Sequence, residues 1–111
     1  MNPVALTHFI AGLVMIAVSL PLIKRKVKMN PWYGIRIPAA FESEQRWLEI
    51  NEYGGRLLLR CGVLIAIVAS PEFFLREAYL AAYALAASAL IVLALGLTIG
   101  NIFRHARRTK S

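Results

Sequence analysis

Two histidines, one cysteine and six carboxylates are the groups of this 111-residue chain best suited to reaction chemistry, and their spacing assembles no reactive set. His8, Cys61 and His105 fall in segments at different depths, so they cannot share a metal ion. No hydroxyl or thiol stands at a motif spacing from a base, and no glycine-rich loop precedes a helix as a phosphate site requires. The long apolar runs hold no Asp or Glu at mid-depth, the group a proton-coupled path through a bilayer usually needs. No catalytic residue, cofactor or metal is therefore expected. What polar chemistry there is lies in one block, Asn30-Pro31-Trp32-Tyr33-Gly34-Ile35-Arg36-Ile37-Pro38, followed by Trp47, Asn51 and Gly54-Gly55-Arg56. It is the chemistry of holding: a guanidinium that needs an anion, an amide that can satisfy backbone groups, aromatic rings and glycines that let backbones approach.

The elements that must position this block are membrane helices. The chain is 59% hydrophobic, and its charges are clustered. A helix needs about 20 mostly apolar residues to cross the hydrocarbon core. Val4 to Ile23 and Ala78 to Phe103 meet that length. Leu57 to Ser70 is shorter, but Gly62, Ala66 and Ser70 recur every fourth residue, the small-residue row of close helix packing in lipid. Arg60 can snorkel back to the headgroups. The reading is an all-α membrane protein with three transmembrane helices, at about 4–23, 55–70 and 78–103, forming a single module. An ordered cytoplasmic loop and a short amphipathic helix join the first two. The sequence leaves open whether that short helix runs on into the second span or breaks at Gly54-Gly55.

Lys24, Arg25, Lys26, Lys28, Arg36, Arg46, Arg56 and Arg60 lie in or beside the first connection, and Arg104, Arg107, Arg108 and Lys110 follow the third span. Three spans place both basic segments on one side, the cytoplasmic one by the positive-inside rule, with the N-terminus outside. The net charge of +7 is accounted for in this way and by attraction to anionic lipid, so no direct nucleic-acid binding is expected. The first span lacks the basic start and cleavage site of a removable signal peptide. Cys61 reads as a small packing residue.

Local signals complete the pattern. His8 reads as an interfacial histidine bonded to a backbone carbonyl, water or a lipid headgroup. Two prolines and Gly34 keep 30–38 out of a helix, and a loop so composed is not expected to be ordered by its own hydrogen bonds. Ser43 is a good N-cap. Glu42/Arg46 and Glu52/Arg56 can pair at i,i+4. Trp47, Asn51 and Gly54 share a helix face, and that face is expected to pack on the 30–38 loop as one cap. Arg36 is expected to pair with Glu44, or else with a lipid phosphate. Ser70-Pro71-Glu72 reads as the start of the third helix. Gly96-x-x-x-Gly100 reads as close packing on the other two helices, or as a homodimer contact.

The block resembles the connecting segment of the SdpI family, small bacterial membrane proteins named after an immunity protein against a secreted peptide toxin. The residues carrying the resemblance are Asn30, Gly34, Ile35, Arg36, Pro38, Glu44, Trp47, Asn51, Gly54, Gly55 and Arg56, in that order. Family members often have a Thr near the position of Ala40, and fuller members carry an additional membrane region. The resemblance implies a non-enzymatic protein of the bacterial plasma membrane that protects against a membrane-active peptide, with a cytoplasmic regulator as a further partner. Residues alone fit two other functions: an accessory subunit of a larger membrane complex, and a transporter assembled from small subunits.

Overall fold

The computed structural model of the chain describes residues 3–109. Three long helices follow one another: α1 (Pro3–Ile23), α2 (Glu44–Ala69) and α3 (Glu77–Arg108), with no strand among the described residues. Two 3-10 turns, Pro38–Glu42 and Ser70–Phe73, precede and follow α2. All three helices are long and apolar enough to cross a membrane. The molecule measures 53 × 23 × 18 Å, longer than the roughly 30 Å hydrocarbon core. The excess lies at one end, where the first turns of α2, the last turns of α3 and the 24–43 connection form a cap.

α2 is the central element. α1 lies antiparallel to it and touches it closely, because a side chain on Gly12 would come within 2.8 Å of Gly62 O and 2.9 Å of Ala66 N. Gly62 and Ala66 thus occupy the α1–α2 contact. Gly12 is their counterpart, a role that its place in an unbroken apolar run did not signal. In lipid such backbone proximity replaces the hydrophobic drive as the source of helix association.

α2 runs unbroken from Glu44 to Ala69. Of the two alternatives the sequence leaves open, the amphipathic segment runs on into the second span and forms the first three turns of α2. Gly54 and Gly55 are buried and make close contact instead of a bend. A side chain on Gly54 would strike Ile35 and come 3.2 Å from Ile102 Cδ1, and one on Gly55 would meet Ile23, Leu22 and the Ser19 carbonyl at 3.1–3.2 Å.

Two expectations are corrected. Ser70-Pro71-Glu72 forms a 3-10 turn extending α2, and α3 begins only at Glu77. The proline ends regular α-helical bonding because it offers no N–H. A side chain on Gly96 or Gly100 would meet nothing within 4 Å, so this pair does not pack on the other helices. The buried residues of α3 are Ala87, Thr98, Ile102 and Ala106, the last two packed with Trp47 and Ile50 of α2; at about 100° per residue the Gly96/Gly100 row faces the opposite way.

Candidate functional site

The cap is built from the end of α1 onward. The helix closes with Lys26 N–H donating to Pro21 O at 3.0 Å and Arg25 N–H to Leu22 O at 3.2 Å, with Arg25 at φ 57°. This is the reversal usually given to glycine. Arg25 Nε donates to Glu52 Oε1 at 2.9 Å, which ties the reversal to α2. Glu52 also faces Arg56 at 3.9 Å.

Asn30 folds the loop. Its Oδ1 accepts from the N–H groups of Trp32 (2.8 Å) and Tyr33 (2.6 Å), and its Nδ2 donates to the carbonyls of Lys28 (2.7 Å) and Tyr33 (3.1 Å). One amide thus stands in for four backbone partners in a segment that proline and glycine deprive of regular bonding. The loop is therefore partly ordered by its own hydrogen bonds, against the expectation from its composition. Arg36 strengthens the same turn by donating from Nη1 to Pro31 O at 2.7 Å. It forms no ion pair with Glu44, whose Oε1 accepts from Met29 N–H at 3.2 Å. Each side chain satisfies loop backbone, and neither is free to seek the other.

α2 then grips the loop. Asn51, buried, accepts from Ile35 N–H at 2.6 Å and donates to Trp47 O at 2.9 Å and Ile35 O at 3.4 Å. Trp47, fully buried, donates from Nε1 to Val27 O at 2.9 Å. Gly34 adopts φ 115°, and a side chain there would lie 2.7 Å from Asn51 Oδ1 and 2.9 Å from Trp47 Cζ2. The structure thus brings Asn30, Gly34, Trp47, Asn51 and Gly54 into one assembly. Pro38 opens the 3-10 turn whose Ala40 is buried with Trp47, Ile50, Ile102 and Ala106. Ser43 caps α2 by accepting from Arg46 N–H at 3.0 Å. Arg56 is exposed, as is Trp32, at 85%.

A family model describing the SdpI/YfhL protein family matches residues 26–102, a stretch that begins at the cap and includes all of α2. The chain belongs to the SdpI/YfhL family. Comparison with curated proteins returned no match, and comparison with solved structures returned none. Family membership and three membrane-capable helices make the chain a multipass membrane protein of the SdpI type. The matched stretch holds every residue of the resemblance drawn from sequence, so the Asn30–Arg56 pattern lies within the family's shared region, while the end of α3 that completes the cap lies beyond it.

Two polar clusters outside the pattern were missed. At the end remote from the cap, His8 Nδ1 lies 3.0 Å from both oxygens of Glu72, and Ser88 Oγ lies 3.4 Å from His8 Nε2. Glu72 is 1% exposed. The three residues come from α1, the α2–α3 turn and α3. His8 thus has a carboxylate partner, which corrects its reading as a histidine bonded to backbone, water or lipid. The partner is 64 positions away; only the antiparallel order of the spans, which returns residue 72 to the start of α1, could have signalled it. At the cap end, His105 Nε2 lies 2.6 Å from Glu49 Oε1, and its ring stacks on Tyr53 with centroids 3.7 Å apart. Arg46 donates to Ala106 O (2.9 Å) and Thr109 Oγ1 (2.7 Å), capping the last turn of α3, and approaches Glu49 (3.3 Å) and Glu42 (3.6 Å). A guanidinium at a helix C-terminus meets both unpaired carbonyls and the dipole. No group of three metal-ligating side chains exists among the described residues.

Proposed function

We propose that this chain is a non-enzymatic protein of the bacterial plasma membrane that protects the cell against a membrane-active peptide or toxin, its cap serving as the surface read by a cytoplasmic regulator. The observation that carries the reading is the use made of the family pattern. Asn30, Gly34, Arg36, Glu44, Trp47, Asn51, Gly54 and Gly55 are all spent on fixing the connection to α2 and on packing. A site built for turnover would leave a reactive group facing a cavity; this pattern produces a rigid shape, which suits recognition. The positive-inside distribution supports a cytoplasmic cap and C-terminus with the N-terminus outside. On that orientation the His8–Glu72–Ser88 cluster faces the side from which a secreted peptide arrives.

The test pairs protection with integrity. Cells carrying the wild-type chain should survive a membrane-active peptide that kills cells lacking it. Trp32→Ala and Arg56→Glu, at exposed positions of the cap, report on its surface, and Trp47→Ala, at a buried one, reports on its integrity. Loss of protection with the melting temperature in detergent unchanged supports a docking surface. Parallel loss of both marks the cap as purely structural. No protection by the wild type against any peptide tried removes the reading.

One observation favours a second function, that of an accessory subunit in a larger membrane complex. The Gly96/Gly100 face of α3 is open, with Val92, Leu93, Leu97 and Ile99 exposed around it. Purification in mild detergent separates the two. A stoichiometric larger assembly supports the subunit, and a free monomer or homodimer with a sensitivity phenotype supports protection. Transport by an oligomer is less well supported, because Glu72, the carboxylate brought inside the bundle, sits at one end of it and not midway.

A further inference from the structure

The cap end carries an apolar groove to which the family pattern contributes only Pro38. Ile37, Pro38 and Ala39 of the connection form one wall, and Phe103, Ala106 and Arg107 of α3 form the other. Arg46 and Glu42 complete its lining. Its volume is about 240 Å³, below the roughly 300–1,000 Å³ of small-molecule sites. It is therefore a slot for a slender apolar group.

Three features decide what fills it. First, its depth: Phe103 ends the uncharged run of α3, so the groove opens where hydrocarbon gives way to headgroups. Second, its charge: the side chains of Arg104, Arg107 and Arg108 are exposed and make no ion pair or hydrogen bond among the described residues, with Arg107 on the rim of the groove itself. Third, its fixed wall: Arg46 is anchored to Ala106 O, Thr109, Glu49 and Glu42, and so keeps the groove in shape without itself being available. A slot of this volume with the free Arg107 guanidinium on its rim matches an amphiphile having one apolar chain to insert and an anionic head to pair.

We propose that this groove is a binding site for one anionic phospholipid, an acyl chain lying between Ile37–Ala39 and Phe103–Ala106 and the phosphate resting on Arg107. The bound lipid joins the connection to the end of α3 from outside, where Arg46 joins α2 to it from within. A zwitterionic lipid offers the same chain with no net charge for the arginines, so the site distinguishes headgroups by charge. The proposal rests on membrane insertion alone and stands whatever the protein protects against.

Native mass spectrometry of the detergent-purified chain, with phosphatidylglycerol or phosphatidylcholine added at equal concentration, tests it. One phosphatidylglycerol is expected to remain bound where phosphatidylcholine is lost, with retention weaker by about tenfold or more in Arg107→Glu, as reversing a charge near a phosphate implies. Ala39→Leu, which narrows the groove while leaving all charges in place, should reduce retention comparably, with the melting temperature measured alongside. Arg76→Glu, the same charge change at the far end, should have no effect. Equal retention of both lipids, or an Arg107→Glu profile matching wild type, overturns the proposal. So does displacement by soluble glycerol phosphate at the concentration of the lipid, since the groove would then contribute nothing. Recovery of a bound polypeptide in place of lipid would assign the groove to a protein partner and equally overturn it.

Discussion

Gly34 and Asn51 fix each other's identity. The amide of Asn51 can reach Ile35 N–H only because residue 34 has no side chain, and Gly34 is held at φ 115° by what surrounds it. Gly34→Ala adds backbone strain to a collision with two buried side chains. It should cost about 1–3 kcal/mol, read as a lowered melting temperature in detergent. Gly96→Ala, where nothing lies within 4 Å, should change stability by no more than about 0.5 kcal/mol. An equal loss in both would show that Gly96 has a partner of its own. Trp47→Ala removes a fully buried ring and the bond to Val27 O, at about 3–5 kcal/mol. These residues were legible in the sequence because their spacing is local: i, i+4 and i+7 define a helix face whatever lies opposite. What Arg36 and Glu44 do was not legible. Charge suggested a pair, but each was better satisfied by a nearby backbone group, Pro31 O and Met29 N–H. Sequence shows which groups need partners; competition between partners is settled only in three dimensions.

Among the elements, α1 and α2 are joined along their length by Gly12, Gly62 and Ala66, whereas α3 is secured chiefly near its two ends by polar clusters. One is His8–Glu72–Ser88, and the other joins Glu49, Tyr53 and Arg46 to His105 and Thr109. Helix existence was readable from apolar length, and helix continuity was not. The glycine pair at 54–55 is consistent with a break until Ile35, Ile102 and Leu22 are seen to occupy the space a side chain would need. Glu72 was misread for a related reason. Ser-Pro-Glu is a sound local signal for a helix start, but Glu72 is turned inward to His8, and α3 begins only further on, at Glu77. The pair makes a specific prediction. Removing one partner of a buried hydrogen-bonded pair typically costs about 1–3 kcal/mol because the other is left unsatisfied. His8→Gln and Glu72→Gln should therefore each destabilise, and the double variant should cost clearly less than their sum. Simple additivity would mean that the two groups are near each other without being energetically coupled.

At the scale of the whole molecule, the shape and the charge distribution point to the same arrangement. The cap end gathers the connection 24–43 and the end of α3, so it collects most of the basic residues, while the opposite end has Arg76 with Glu72 and Glu77. In a membrane with the usual bias of Lys and Arg, the cap is expected to face the cytoplasm. Three crossings are required for this. With α2 lying on the surface, α3 alone would cross after α1, and the connection and the C-terminal end would fall on opposite sides, although Arg46 is bonded to Thr109 and Glu49 to His105. Those contacts hold the two basic segments together and argue against a two-span arrangement. Single cysteines at position 28 and at position 75, each in a Cys61→Ala background, read the outcome. Cys61 is buried and unpaired, with Gly62 beside it, so alanine should replace it with little loss. In intact cells an impermeant thiol reagent should label position 75 and leave position 28 unlabelled until the membrane is opened. Labelling of position 28 alone would invert the molecule, placing the cap outside and removing its role toward a cytoplasmic regulator. Labelling of both positions would deny that α2 crosses at all.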